Sequence, residues 1–205
     1  MMDTYEAWLK GRGLRLNSSS CYMRTLRTLY RKAVEMGLTE NNDIFRHVFT
    51  GFTKTSKRAV PLTAIKSIKQ LDLTGAPALA FARDVFLFSF YMQGMSFVDM
   101  AYLKKSDLRN GSVNYVRKKT QQSLEVVWNG AMQDIVDRYS GSVADSPYLL
   151  PIITKVDGTE RKQYMKAEQR VNRHLKQIAK MAGLHIPLTT YVGSAEKYWG
   201  IVLLV

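Results

Sequence analysis

The chain has 205 residues, 46% of them hydrophobic and 23% charged, a balance that supports a packed core and argues against disorder. Its 30 Lys and Arg against 17 Asp and Glu leave a net charge of +13, which favours a polyanionic partner. Nucleic acid fits that excess, although ribosomal and membrane-surface proteins share it. One cysteine, Cys21, excludes an internal disulfide and fits a reducing compartment. His47, His174 and His185 have no Cys, Asp or His partner at ligand spacing, so no metal and no cofactor are expected.

The opening residues MMDTYEAWLK carry acids and no apolar core, unlike a signal peptide. The most hydrophobic run, residues 76–92, contains Arg83 and Asp84 and is too short to span a bilayer, so no membrane partner is expected. Asp3 and Glu6 could form a capping box for a first helix through Leu9, ended by Gly11 and Gly13. Asn17 to Ser20 offers N-caps for a second helix running to about Met36, with Gly37 as its stop. Tyr22, Leu26, Leu29 and Ala33 repeat at the spacing of one apolar face. Arg24, Arg27 and Arg31 repeat on another, either as a solvated surface or as one that tracks a phosphate backbone. The lack of balancing acids there favours the second.

The stretch TGFTKTSKR, residues 50–58, is small, polar and basic without periodicity, and is the best linker candidate. Its Lys54, Lys57 and Arg58 are candidate DNA contacts between two lobes. Thr63 is expected to cap a helix to about Gln70, and Pro77 to open a buried helix leading to Gln93. A short helix then starts at Ser96, capped with Asp99, and a basic turn follows at Lys104 and Lys105. Val113–Arg117 and Leu124–Trp128 read as two strands of a hairpin joined at KKTQQS and closed by Asn129-Gly130. Met132, Ile135, Val136 and Tyr139 share a helical face, and the Pro-bounded loop SPYLLPII follows. A long basic helix is expected from about Lys162 to Ala182, with Val171, Leu175, Ile178 and Ala182 facing inward.

The stretch RDVFLFSFYMQGMSFVDMAYLKKSDL, residues 83–108, resembles the first active-site box of the tyrosine recombinases, or phage-integrase family, as found in integrases of mobile elements. NDIFRHVFTGF before the linker, SPYLLPI and HIPLTTYV extend that resemblance through Val192. It implies a mainly α fold of the α+β kind: a helical, SAM-like core-binding domain over 1–52, a linker over 53–60, and a catalytic domain of helices with a short β-hairpin over 61–205. The implied activity is site-specific DNA recombination and integration. A tyrosine hydroxyl attacks the phosphodiester, leaving a 3′-phosphotyrosine and a free 5′-hydroxyl, without metal or ATP. Double-stranded DNA is the implied partner, with other recombinase subunits in a synaptic tetramer and no small-molecule substrate. The implied location is the bacterial cytoplasm, at the nucleoid.

The resemblance also assigns site residues. Two Arg forks bind the non-bridging phosphate oxygens in this family, and a hairpin Lys protonates the leaving oxygen. The hairpin Lys falls on Lys119, or on Lys118 if the register slips by one, and Arg117, Lys118, Lys104 and Lys105 are further candidate DNA contacts. The first Arg position is occupied by Gln93, which can donate a hydrogen bond but carries no charge. Tyr191 stands where other members carry His, and Ser194 where they carry the second Arg. Tyr191 and Tyr198 lie too close to this box to replace the nucleophile that relatives carry further on. The resemblance therefore implies an incomplete, catalytically inactive polypeptide, by frameshift, recombination scar or truncation. A non-catalytic module occupying recombination sites is the alternative reading, and a basic helical RNA binder a third.

Overall fold

The computed structural model describes residues 1–54 and 60–191. The chain divides into two compact units, Met1–Ser56 and Lys57–Val205.

The first unit pairs α1 (Met2–Gly11) with α2 (Leu16–Glu35). Leu9, Met23, Phe45 and Val48 form its core, with Tyr5, Leu26 and Tyr30 packed around them. So small a core needs support from polar bonds to the irregular chain after α2. Asn17 supplies it by mimicking a backbone strand: its amide donates to the Thr53 carbonyl (2.8 Å) and its oxygen accepts from the Thr53 N–H (2.8 Å). The Tyr30 hydroxyl donates to the Glu40 carbonyl (2.7 Å) and accepts from the Asn42 N–H (2.8 Å).

These bonds revise three expectations. Glu6 does not close a capping box; it is buried and accepts the Phe49 N–H at 3.2 Å. The N-cap of α2 is Arg15, because Asn17 already lies in the helix and is committed to Thr53. Tyr22 and Leu29 do not face the core. They are 53% and 58% exposed, and the inward stripe runs through Ser19, Met23, Leu26 and Tyr30.

The second unit is built around α4 (Pro77–Tyr91), whose Val85, Phe86, Leu87 and Phe88 are buried, with α7 (Glu160–Met181) packed along it. On α7, Val171, Leu175, Ile178 and Ala179 are buried, and Ala182 is half-buried just beyond the helix end. In chain order α3 (Leu62–Lys69) precedes α4, and α5 (Phe97–Tyr102) and α6 (Gly130–Tyr139) come between α4 and α7. The SPYLLPII segment is irregular yet apolar, and its Leu149, Leu150, Ile152 and Ile153 lie in the same core.

A buried acid ties α4 to its neighbours. Asp84, 1% exposed, accepts from the Arg83 Nε (3.0 Å), the Tyr139 hydroxyl (2.8 Å) and the Arg138 guanidinium. Arg83 also donates to the Leu71 carbonyl at 2.9 Å, which anchors the loop after α3. A carboxylate so deep is tolerable only when fully partnered in this way.

The sheet has three antiparallel strands rather than the expected two: β1 (Leu108–Arg109), β2 (Ser112–Val116) and β3 (Ser123–Val127). Leu108 pairs with Val113 and Arg109 with Ser112, leaving Asn110-Gly111 as a two-residue turn. Both turn residues have positive φ, 52° and 75°, the combination for which Asn-Gly is favoured. The second Asn-Gly pair does not close the hairpin. Asn129 is the N-cap of α6, its side chain accepting the Met132 N–H at 3.0 Å.

Candidate nucleic-acid interface

Gln93 ends α4. Its N–H donates to the Phe90 carbonyl (3.1 Å) and that of Gly94 to the Ser89 carbonyl (2.8 Å), the paired bonds of a Schellman cap. Gln93 itself holds the left-handed position, φ 54°, normally given to glycine. A side chain there costs about 1–2 kcal/mol, and such strain gathers at functional positions. The Gln93 side chain is half-buried and has no hydrogen-bond partner among the described residues. The Ser89 hydroxyl closes the next turn by donating to the Met95 carbonyl at 2.8 Å.

α5 begins two residues later, and its cap does more than start a helix. The Ser96 oxygen accepts the Asp99 N–H (3.3 Å), while its hydroxyl donates to Asp99 Oδ2 (2.6 Å). The other oxygen of Asp99 accepts the Lys118 N–H at 2.9 Å, so one carboxylate joins α5 to the β2–β3 turn. The sequence gives Asp99 only as a capping residue; its second bond spans 19 positions and has no local signature.

The β2–β3 turn is closed by the Gln121 N–H donating to the Arg117 carbonyl, and by the Arg117 N–H donating to the Gln122 carbonyl, both at 2.8 Å. Lys118 and Lys119 are both exposed on it, yet they differ. The Lys118 ammonium lies over the Tyr102 ring, 3.5 Å from its centroid, at the edge of a cleft of about 570 Å³ that Tyr115 and Tyr148 also line. Lys119 does not line that cleft, and its side chain has no partner among the described residues. Tyr102 also meets Tyr148 and Tyr164 edge-on. Burial, then the neighbouring phenols Tyr164 and Tyr148, push the Tyr102 hydroxyl above the ordinary tyrosine range. Burial does the same for Tyr115, partly opposed by the charge of Arg117 beside it. These phenols are therefore held neutral rather than prepared as nucleophiles.

Among the other candidates, Lys104 is exposed, but Lys105 spends its ammonium on the Val143 (2.6 Å) and Ala144 (3.2 Å) carbonyls. Arg24 and Arg31 are exposed on α2, and Arg27 donates to Thr50 Oγ1 at 3.0 Å. Arg27 and Arg31 line a cleft of about 640 Å³ in the first unit, where Arg46 joins them. Lys54 is exposed, whereas Lys57, Arg58 and Ser194 lie outside the described residues. Tyr191 is 85% exposed. The preceding residue, Thr190, is held to α7 by its N–H donating to Asn172 Oδ1 at 2.8 Å.

The largest group of cations not singled out from sequence is on α7. Lys162, Lys166, Arg170, Arg173, Lys176 and Lys180 are exposed and recur at helical spacing on one side. None of them makes an ion pair among the described residues. The sequence shows their spacing but not that the acids nearby leave them unpaired. No cluster of His, Cys, Asp or Glu among the described residues could hold a metal, and no helix there is long and apolar enough to cross a membrane.

Residues 1–48 match the family model of the phage integrase SAM-like domain. Comparison with curated protein sequences gives no match. Among solved structures, lambda integrase (residues 75–356) bound to DNA superposes with a TM-score of 0.64 at 14% identity, covering 95% of this chain and 68% of that one. A lambda integrase (75–356) dimer bound to a COC′ core site gives 0.60 at 14% identity, with 95% and 67% covered. A lambda integrase tetramer bound to a Holliday junction gives 0.60 at 13% identity, and there the chain covers 64% of the other. The chain thus has the fold of the lambda integrase structures and spans roughly two thirds of their length. The match of residues 1–48 to the phage integrase SAM-like domain and the lambda-integrase-like fold of the described chain are two independent likenesses to the same group of proteins.

Proposed function

We propose that the chain is a DNA-binding member of the tyrosine recombinases, acting on duplex DNA in site-specific recombination or integration. The reading is carried by the β2–β3 turn, which the Asp99 carboxylate holds through the Lys118 N–H and which presents the exposed Lys119. The unpaired cations of α7 and the arginines of α2 support it, since each can replace a counterion on the phosphate backbone. Other recombinase subunits are proposed as partners, in line with the dimeric and tetrameric lambda integrase complexes.

The chemistry is proposed to be impaired at Gln93. Strand cleavage puts extra negative charge on the non-bridging oxygens, and a neutral amide offers a hydrogen bond without neutralising it. Replacing an Arg there is expected to cost several kcal/mol, roughly two or three powers of ten in rate. The chain would then hold a recombination site without cutting it. A nicked suicide duplex tests this: the proposal expects a shifted complex in a native gel and no covalent adduct under denaturing conditions. A covalent adduct would overturn the impaired chemistry, and the absence of any shift would overturn DNA binding.

A further inference from the structure

The β2–β3 turn presents two adjacent lysines of identical chemistry, and the structure treats them unequally. Lys118 is held twice from α5, its N–H by the Asp99 carboxylate (2.9 Å) and its ammonium by the face of the Tyr102 ring (3.5 Å to the centroid). A cation at that distance is well within the range where the ring quadrupole attracts it. Tyr102 is itself fixed, edge-on against Tyr148 and Tyr164, so the ring is a rigid platform rather than a passing contact. Lys119, one residue on, is exposed and meets none of these groups.

We infer that Tyr102 is a positioning residue that sorts the two lysines, withholding Lys118 from the phosphate backbone and leaving Lys119 as the cation the turn presents. The inference rests on the proposal that this turn meets DNA. Its geometry is local, however: it needs the ring, the carboxylate and the two ammonium groups, and no particular DNA sequence. The neutral state of the Tyr102 phenol agrees with it, because a ring that does not ionise offers a constant face. A phenylalanine at the same place would keep that face, and a leucine would remove it.

Two measurements on the full chain separate this inference from the DNA reading. The first uses no DNA. Brief labelling with an amine-reactive acetylating reagent, read by mass spectrometry, is expected to modify Lys119 several-fold faster than Lys118. Tyr102→Phe is expected to preserve that ratio and Tyr102→Leu to bring it towards unity. Equal labelling in the unsubstituted chain overturns the sorting, whether or not Tyr102→Leu folds. The second titrates a fluorescent duplex at several salt concentrations. Each phosphate contact contributes about 0.9 to the slope of log affinity against log salt. Lys119→Ala is expected to lower the slope by about that amount and Lys118→Ala to leave it unchanged. Equal losses for the two lysines overturn the sorting. Unequal labelling in a chain that binds no duplex would instead overturn the DNA reading alone.

Discussion

Gln93 shows how a single position can be partly readable. The sequence marks it as the residue before a helix-ending glycine, and the resemblance marks it as a charge lost from a phosphate site. Its left-handed backbone is visible only in the fold, since Gly94 invites the assumption that glycine alone takes that conformation. Gln93→Gly is therefore expected to raise stability by about 1 kcal/mol, read as a higher urea midpoint. A loss of stability on that substitution would show that the Gln93 side chain contributes more packing than its backbone costs. Asp99 and Lys105 were less legible for a common reason. Their partners, Lys118 and the Val143 carbonyl, are distant in sequence, and no local pattern announces a bond across 19 or 38 residues.

At the level of elements, helices with an uninterrupted apolar stripe could be read closely. The inner face of α7 is the one its spacing predicts through Val171, Leu175 and Ile178. α2 misleads because its apolar residues occupy more than one stripe, and periodicity alone cannot decide which one a small core recruits. Ser19 and Ser20, buried by side-chain bonds to the Leu16 and Gly51 carbonyls, displaced the face that Tyr22 and Leu29 would have given. The two Asn-Gly pairs make the same point. Asn110-Gly111 closes a hairpin because complementary strand residues flank it, while Asn129-Gly130 is followed by the helical spacing of Met132 and Ile135 and becomes a cap. Asn129→Ala is accordingly expected to cost about 1 kcal/mol, measured as a lower urea midpoint, whereas an unchanged midpoint would contradict the capping bond.

Over the whole molecule, composition pointed to a polyanion, order of motifs to a recombinase, and the fold supplies the cations that composition could only count. Each of the two units carries exposed cations of its own: Arg24 and Arg31 in the first, and in the second the α7 row and, on a separate element, Lys119. Unpaired surface cations add little to folding stability, and α7 presents them on the side opposite its buried Val171, Leu175 and Ile178, where the proposed duplex would meet them. The salt dependence of duplex affinity tests that proposed contact most directly. If about six phosphates are engaged, affinity should fall roughly a thousandfold between about 50 and about 200 mM salt, along a straight line in logarithmic coordinates. An affinity that is the same at both salt concentrations, or no binding at the lower one, would contradict it.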